Sequence, residues 1–553
     1  MKIKSILSTF SLALCMLPAG AQHLVKDITP GGIGSRARAW CACDDKLFLL
    51  VQDPNLINSE FELWKTDGTE SGTMRVKEIN PTDGDITSWN LYDPVCLDGK
   101  LLFVADNGTH GKELWSSDGT EAGTVMVKDI FPGAESATPR SFAVANNKLF
   151  FIARDYSFNY ELWVSDGTEA GTMLVKDVWP GQWGQEHINN AQYKIVSHNG
   201  AVYFTAKSST SSSSRQLWKS DGTEAGTVMV REFTKDRPRD LTVCNGELYF
   251  AAGDVATGEE LWKTDGTEAG TVLVHDIQPG TAGSYPGKLT VYNGSLYFFA
   301  ATENEGWELW KTEGDASGTQ LVKDIRPGAS GAISSTPLPN MYGVNGVLVF
   351  PADGDGLYGN ELWKTDGTEA GTTLLKTIRP DGVYSLSPGF IGHTYSNLLY
   401  FSANNGTHGE ELWRTDGTEA GTYMVADMNP GGATSHYSPS SFYEYNEDLY
   451  FSATIPAYGP ELWHLNSPAG TGLLEASAFS IHPNPTSGKI ILENSNYQPA
   501  SAFTVVNFMG QQVAAGTLAV LGKTEVDLSH LPAGVYFIQA QGANMQTYKL
   551  IKK

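Results

Sequence analysis

The chain has 553 residues, and its 62 Asp and Glu against 38 Lys and Arg give a formal net charge of −24. An acidic balance of this size argues against nucleic acid or an anionic membrane surface as a partner. The length exceeds the roughly 250 to 300 residues that one hydrophobic core supports, which predicts a modular chain. After residue 21 no stretch approaches about 18 uninterrupted apolar residues, so we expect no transmembrane span.

Residues 1–21 have the pattern of a secretory signal peptide. Lys2 and Lys4 precede an apolar run, and small residues at positions 19–21 offer a site where signal peptidase cuts. We therefore expect a mature chain that starts at Gln22 and is exported from the cytoplasm.

Residues 22–466 are dominated by nine copies of the phrase E-L-W-K-T-D-G-T-E-A-G-T or close variants. Its tryptophans recur every 44 to 55 residues, at Trp64, Trp115, Trp163, Trp218, Trp262, Trp310, Trp363, Trp413 and Trp463. Each unit holds four short apolar segments separated by Asn-Gly or Asp-Gly pairs, which predicts antiparallel strands joined by hairpins. Four strands at this spacing are typical of a propeller blade. The sequence thus predicts an all-β fold, a nine-bladed β-propeller.

The ends of the repeat region indicate how the ring closes. The segment from Val25 to Ile28 resembles the fourth strand of a unit but has no first three strands before it, and the ninth unit lacks this segment. We expect the N-terminal strand to complete the ninth blade as its outermost strand. Two alternatives stay open: Leu473 and Leu474 occupy that place, or the units form an open solenoid.

The repeated residues have structural explanations. The Trp of E-L-W is expected to pack between neighbouring blades, and Asp-Gly-Thr is typical of a tight turn. The Glu of E-L-W and the Lys of V-K-D-I lie on strands that we expect to be adjacent, which predicts a cross-strand ion pair.

Four cysteines follow the signal peptide: Cys41, Cys43, Cys96 and Cys244. Cys43 and Cys244 occupy equivalent places in distant blades, so they should not pair. Cys96 lies in the unit next to Cys41 and Cys43, and one disulfide there is an alternative that the spacing does not itself support. No C-x-x-C motif or His cluster accompanies them, and we expect no structural zinc.

Function is expected at one face of the disc. The Asn-Gly and Asp-Gly-Thr turns lie at one face, and the other carries the loops between second and third strands together with the crossing loops that lead to the next blade. We call it the variable-loop face, because these loops differ between units, and binding sites favour such loops. Aromatic side chains in them could hold a glycan or a protein partner, although each is more simply a lid over its own blade: Trp89, Trp179, Trp183, Tyr285 and Tyr437.

The same loops offer candidates for a metal site and for a catalytic site. Asp353 and Asp355 could bind calcium, but their spacing does not match an EF-hand. Catalysis would need a carboxylate pair or a His base. The loops offer such groups at Asp106, Asp155, Asp254, His110, His187 and His408. Because Asn404 and His408 mirror Asp106 and His110, these residues resemble repeat drift, and we assign no catalytic residue.

Residues 467–476 form a linker, and residues 477–553 predict a small antiparallel β-sandwich. This segment resembles the type A C-terminal sorting domain of the type IX secretion system. The motif residues are Pro483, Asn484, Pro485, Gly488, Asn507, Gly510, Gln511, Leu531, Pro532, Gly534, Val535 and Tyr536. The resemblance implies a Gram-negative bacterial protein that the type IX machinery carries across the outer membrane.

The repeat half is similar to a family of secreted bacterial proteins named for their E-L-W-x-x-D-G-T repeats, and that resemblance supplies no catalytic residues. The sequence favours a secreted or cell-surface propeller that acts in binding or adhesion. The alternatives are a polysaccharide-degrading hydrolase or lyase on the variable-loop face, and a structural component of a surface layer.

Overall fold

The structure is a computed structural model. It describes residues 22–30, 34–52, 61–80, 94–154, 160–178, 194–207, 216–333, 337–354, 359–381, 385–386, 390–428, 439–455, 458–466, 479–482, 488–494, 502–507, 512–517, 522–532, 534–540 and 546–552. The expected signal peptide and linker lie outside these ranges. Within them the chain contains strands and turns but no helix, and hence no helix suited to cross a membrane. One compact unit spans Val25–His464, and a second contains the C-terminal strands.

The propeller has nine sheets of four strands. Strand β1 (Gln22–Leu24) comes first in the chain. Blade 1 has β2 (Arg38–Cys43), β3 (Lys46–Gln52), β4 (Phe61–Thr66) and β5 (Met74–Lys77). Blade 2 has β6 (Val95–Leu97), β7 (Lys100–Asp106), β8 (Lys112–Ser117) and β9 (Val125–Lys128). Blade 3 has β10 (Arg140–Ala145), β11 (Lys148–Arg154), β12 (Tyr160–Ser165) and β13 (Met173–Lys176).

The central blades follow the same order of strands. Blade 4 has β14 (Val196–His198), β15 (Ala201–Ala206), β16 (Gln216–Ser220) and β17 (Val228–Glu232). Blade 5 has β18 (Asp236–Cys244), β19 (Glu247–Asp254), β20 (Gly258–Thr264) and β21 (Val272–His275). Blade 6 has β22 (Gly287–Tyr292), β23 (Ser295–Thr302), β24 (Gly306–Thr312) and β25 (Gln320–Lys323).

The last three blades complete the ring. Blade 7 has β26 (Tyr342–Val344), β27 (Val347–Ala352), β28 (Glu361–Thr365) and β29 (Thr373–Lys376). Blade 8 has β30 (Gly392–Tyr395), β31 (Leu398–Asn404), β32 (Glu410–Thr415) and β33 (Tyr423–Ala426). Blade 9 has β34 (Ser440–Tyr445), β35 (Asp448–Ile455) and β36 (Gly459–Asn466), and its strand order is β1-β36-β35-β34. The N-terminal strand is therefore the outermost strand of blade 9, which confirms the predicted closure, although this strand spans Gln22–Leu24 and not the predicted segment from Val25 to Ile28.

The blades are held together by apolar packing between neighbouring sheets. The second strand of each blade is a nearly continuous buried run, as in β7, because sheets cover both of its faces. Trp115 of blade 2 belongs to the same core cluster as Phe48 and Leu63 of blade 1. The predicted packing role of the E-L-W tryptophan is confirmed at this seam.

The first strands of neighbouring blades contact each other at most seams and form the inner wall of the ring. The two ends of the ring meet where the backbone N–H of Ala42 donates to the Tyr443 hydroxyl at 2.9 Å. At the next seam a disulfide joins Cys43 to Cys96, on the first strands of blades 1 and 2. The sequence left this pairing open, and the contact between the first strands of blades 1 and 2 places the two cysteines together. Cys41 and Cys244 are free and buried.

The C-terminal unit has two antiparallel sheets. One has the order β37 (Phe479–His482), β38 (Lys489–Asn494), β41 (Gly522–Asp527), and the other has β40 (Gln512–Thr517), β39 (Ala502–Asn507), β42 (Gly534–Ala540), β43 (Gln546–Lys552). Ile490 and Val526 of the first sheet share one core with Phe503, Ile538 and Leu550 of the second. This shared core agrees with the predicted β-sandwich.

Candidate functional site

The Glu of E-L-W anchors the crossing loop. Both Glu113 carboxylate oxygens accept backbone N–H groups, from Ile130 at 2.9 Å, Phe131 at 3.3 Å and Ala137 at 3.1 Å. Glu260 and Glu308 hold their own loops at the same sequence spacings. The repeated Glu is therefore a structural residue that positions the variable-loop face.

Burial raises the pKa of these carboxyl groups, although the backbone N–H bonds act in the opposite direction. The pKa of Glu113 rises to about 8, and those of Glu260, Glu308 and Glu461 rise to about 7. All four side chains are at most 1% exposed, so their raised pKa values belong to the scaffold and do not mark a catalytic acid.

The expected ion pair between this Glu and the Lys of V-K-D-I was wrong in blade 2. A β-bulge shifts the register between β8 and β9, so that Lys128 lies opposite Leu114 instead of Glu113. Lys128 Nζ donates to the carbonyl of Thr172 in the next blade, at 2.9 Å. Equivalent contacts link other seams, for example Lys323 to Thr372. The lysines therefore connect blades instead of neutralising the buried carboxyl groups.

The Asp-Gly-Thr segments form tight turns, as predicted. Asp118 Oδ1 accepts the backbone N–H of Thr120 at 2.8 Å and its hydroxyl at 2.7 Å, and these bonds lower the Asp118 pKa. The turn repeats with the same bonds at Asp67, Asp166, Asp221, Asp265, Asp366 and Asp416. These carboxylates stabilise hairpins on the face opposite the variable loops.

Two histidine loops of the variable-loop face have the same internal geometry. Asn107 Oδ1 accepts the backbone N–H of His110 at 3.0 Å, and Asn405 Oδ1 accepts that of His408 at 3.0 Å. Both histidine rings also contact the Asn of their own loop. This correspondence supports repeat drift as the origin of both histidines.

Of the five aromatic candidates, only Tyr285 lies within the described residues; Trp89, Trp179, Trp183 and Tyr437 lie outside them. Tyr285 follows the crossing loop between blades 5 and 6 and is 41% exposed, with a φ of 54°. Its backbone N–H donates to the Glu259 carbonyl at 3.1 Å. Among the described residues it is the one aromatic in the set of strongly exposed large apolar side chains.

A charged cluster includes Glu259, whose backbone carbonyl accepts the Tyr285 N–H. Glu259, at the start of β20, is 7% exposed, and its Oε1 accepts Arg239 Nε at 2.6 Å and pairs with Arg239 Nη2 at 2.5 Å. Burial raises the pKa of Glu259, while Arg239 lowers it. Arg239 also pairs with Asp240, at 3.1 Å. The charge of Asp236 raises the Glu259 pKa, as burial does. The carboxylates of Asp236, Asp240 and Glu259 and the Arg239 guanidinium therefore share this region.

The cluster continues along the inner wall of the ring. Asp240 Oδ2 accepts the backbone N–H of Lys288 at 3.2 Å, and Lys288 Nζ donates to Asn340 Oδ1 at 2.9 Å. Asn340 Nδ2 in turn donates to the Phe390 carbonyl at 3.1 Å. A polar path therefore joins the first strands of blades 5 and 6 to the segments that precede the first strands of blades 7 and 8.

The calcium candidates are not brought together as a described site. Asp353 is 7% exposed, and its Oδ2 pairs with Arg326 Nη1 at 3.2 Å, whereas Asp355 lies outside the described residues. Across the described part of the chain, no group of three or more His, Cys, Asp or Glu side chains is placed to hold a metal ion.

The described sorting-motif residues build the C-terminal unit. The Gly488 carbonyl accepts the backbone N–H of Leu528 at 2.8 Å, and Leu531 packs against the core. Tyr536 is 6% exposed, and its hydroxyl donates to the Pro532 carbonyl at 2.9 Å. Gly534 and Val535 open β42, and Asn507 ends β39. Pro483, Asn484, Pro485, Gly510 and Gln511 lie outside the described residues.

Comparison with protein families supports the assignment of this unit. Residues 480–553 match the family described as "Secretion system C-terminal sorting domain". The match implies export, interaction with the type IX secretion machinery and a secreted or cell-surface location. The class defined by fold and family is an exported nine-bladed β-propeller with a type IX sorting domain.

No curated protein matches the chain. Among solved structures it is similar to puromycin hydrolase (14% identity, 65% of this chain and 59% of that chain, TM-score 0.33). It is also similar to a Mycobacterium tuberculosis puromycin-hydrolyzing peptidase (8% identity, 70% and 60%, TM-score 0.33). A third structure is the β-propeller domain of the Trilobed protease from Pyrococcus furiosus (13% identity, 62% and 98%, TM-score 0.30). The chain spans about 60% of the first two proteins, and these distant similarities carry no argument about its activity.

Sequence reasoning missed the Arg239–Glu259 pair. The available signal was local: blade 5 has Glu immediately before E-L-W and Arg-Asp early in its first strand. Because these residues lie 20 positions apart, only the pairing of β18, β19 and β20 shows that they meet.

Proposed function

We propose that the protein is a secreted or cell-surface binding protein of the E-L-W-x-x-D-G-T repeat type, and that it holds a glycan at the variable-loop face of blades 5 and 6. The observation that carries the proposal is Tyr285, a strongly exposed aromatic residue whose backbone N–H donates to Glu259, the residue that pairs with Arg239. An aromatic face next to planar polar groups suits a sugar ring, which offers apolar C–H faces and equatorial hydroxyls. A role in adhesion would follow from display at the cell surface.

The pairing of the carboxylates with arginine side chains favours binding over hydrolysis. Glycoside hydrolysis uses two carboxyl groups on either side of the scissile bond. On the variable-loop face, Glu259 is paired with Arg239, Asp254 with Arg231 at 3.0 Å, and Asp353 with Arg326. Carboxylates held by arginines serve better as fixed hydrogen-bonding groups than as an acid and a nucleophile. The hydrolase or lyase remains the alternative function, and a structural role in a surface layer is the other.

The binding test uses the purified protein with a glycan array and a polysaccharide-depolymerisation screen, each with and without calcium. Tyr285→Ala should lower glycan affinity about tenfold, since stacking on an aromatic ring contributes on the order of 1 kcal/mol or more. Tyr285→Phe should keep most of it. Met173→Ala, at an exposed site on an outer strand, is the control and should bind as the parent does.

Saturable binding that Tyr285→Ala weakens about tenfold would support the proposal. New reducing or unsaturated ends in any polymer would instead favour the enzyme. If binding is absent, or is equal in the Tyr285→Ala variant, the proposed site is wrong.

Export has its own test. We expect deletion of residues 477–553 to leave the protein in the periplasm, because this segment holds the sorting domain. Edman sequencing of the periplasmic product should begin at Gln22 if the signal peptide is cut as proposed. Normal amounts of the truncated protein in the medium or at the surface would contradict the role of this segment.

A further inference from the structure

Three arginines occupy one position in the repeat. Arg38, Arg140 and Arg239 lie on the first strands of blades 1, 3 and 5, and their Cα partners on the second strands are equivalent residues. In each blade the guanidinium contacts the residue that immediately precedes the Glu of E-L-W. That residue is Phe61 in blade 1, Tyr160 in blade 3 and Glu259 in blade 5.

Blade 5 shows which group satisfies this guanidinium. There Glu259 supplies a carboxylate oxygen to both Nε and Nη2 of Arg239. A planar guanidinium recognises a carboxylate through two N–H groups on one edge, which is a geometry that lysine cannot reproduce. The chain thus contains its own example of the complementary ligand at this repeat position.

Blade 3 has the arginine without the carboxylate. The Arg140 guanidinium carbon lies 3.8 Å from the centre of the Tyr160 ring, and the residue is 8% exposed. Its Nε and Nη2 are buried and have no hydrogen-bond partner within the described structure. These are the two nitrogens that a carboxylate engages in blade 5. A buried cation without a counter-ion is costly, and stacking on Tyr160 compensates for it only in part.

We propose that Arg140 is the centre of a second ligand site, which binds the carboxylate of a uronic-acid sugar at the variable-loop face of blade 3. The carboxylate occupies the place that Glu259 takes in blade 5, and it accepts hydrogen bonds from Nε and Nη2. Arg38 is half-buried, and Nε is the one nitrogen of its guanidinium that is both buried and without a partner in the described structure, so the proposal is restricted to Arg140. The site lies in blade 3, whereas Tyr285 lies between blades 5 and 6, so the proposal does not depend on the proposed function there.

The surroundings favour a sugar acid over an acidic peptide. The Tyr160 hydroxyl and Thr138 Oγ1 lie 2.7 Å apart beside the guanidinium, and they offer donors and acceptors for ring hydroxyls. The net charge of −24 repels polyanions at long range, so a single carboxylate among neutral sugars fits better than a run of acidic residues. Since Nε and Nη2 are buried, a ligand has to displace neighbouring groups before it can bind. This predicts an association rate constant well below the diffusion limit.

The test measures binding of glucuronate, glucose and N-acetylglutamate to the full protein by calorimetry. Glucuronate should bind with Arg140 intact, glucose should not bind at this site, and N-acetylglutamate should bind at least tenfold more weakly than glucuronate. Arg140→Gln and Arg140→Lys should each reduce glucuronate affinity about tenfold or more, because both lose the two-pronged contact.

Tyr160→Glu is the decisive variant, because it builds the blade 5 pair into blade 3. It should raise the melting temperature and abolish glucuronate binding, since the internal carboxylate then occupies Arg140. The control Met173→Ala, at an exposed position on the outer strand of the same blade, should leave glucuronate binding unchanged.

No binding of glucuronate to the parent protein would overturn the proposal, as would undiminished binding in Tyr160→Glu. Equal or tighter binding of N-acetylglutamate would overturn the sugar acid and identify an acidic peptide as the ligand. If Arg140→Gln fails to fold, the comparison of Tyr160→Glu with the parent decides the outcome alone.

Discussion

The buried Glu113 offers a direct test of the anchoring role of the E-L-W glutamate. Glu113→Gln keeps the size of the side chain but replaces one acceptor oxygen by an NH2 group that faces backbone N–H donors. Leaving a buried donor without its acceptor costs about 1–3 kcal/mol. We therefore expect the variant to unfold at a lower denaturant concentration than the parent at pH 5.

The difference should shrink as the pH rises and then change sign, so that Glu113→Gln is the more stable protein at pH 9. The pKa of Glu113 is raised from 4.5 to about 8, so between these values the folded protein holds a proton that the unfolded chain has released. The stability from this proton is complete below pH 4.5 and is lost as the pH passes through 8. At about 1.4 kcal/mol for each pH unit the loss amounts to on the order of 5 kcal/mol, which Glu113→Gln does not undergo.

Urea denaturation at pH 5, 7 and 9 measures this effect. Blade 4 supplies the reverse control, since it carries Gln216 at the same place, with Nε2 3.5 Å from Glu232 Oε1. Gln216→Glu puts a second carboxyl group there and should make stability fall more steeply with pH. A gap between parent and Glu113→Gln that stays constant or widens from pH 5 to 9 would refute the reasoning, because it would mean that folding does not favour the protonated carboxyl group.

Three further predictions concern the ring. Cys43→Ser removes a cross-link over 53 residues and should cost about 4 kcal/mol by the chain-entropy model, measured as a lower melting temperature that reductant no longer changes. Lys128→Met removes one hydrogen bond between blades 2 and 3 and should cost about 1 kcal/mol in urea denaturation; no loss would show that this contact is dispensable. Gly72→Ala puts a Cβ 2.0 Å from an Asp carboxylate oxygen of its own turn, whereas the nearest atom to a Cβ at Gly318 is 3.1 Å away. Gly72→Ala should therefore lower the melting temperature more than Gly318→Ala, and equal effects would contradict the steric argument.

The repeat made the architecture predictable. Nine E-L-W phrases at near-constant intervals, each followed by a turn signal, indicate strand number, hairpins and blade count, because all three depend on residues that are near in sequence. The ring closure was predictable for the same reason. A single strand precedes the first complete unit and the ninth unit lacks its fourth strand, so the two together make one blade. The sorting domain was recognised from motif words in their order, and its family match confirms it.

The error on the ion pair shows where local pattern reasoning ends. Without the bulge in β9, Glu113 would lie opposite Lys128, as the regular alternation of the two strands predicts. One extra residue shifts this register, and the sequence carries no distinct signal for it. The consequence is large, since the carboxyl group turns to the crossing loop and the ammonium group reaches the next blade.

The sequence by itself determined the unit of this protein: its strands, its turns, its repetition and its export address, all of which are written in short segments. Only the tertiary structure decided which distant residues meet, such as Cys43 with Cys96, Arg239 with Glu259, and Arg140 with an aromatic ring where blade 5 has a carboxylate. The physical reason is that these contacts depend on strand register and on the angle between blades. Both are set by packing around the whole ring and not by the periodicity of any one segment.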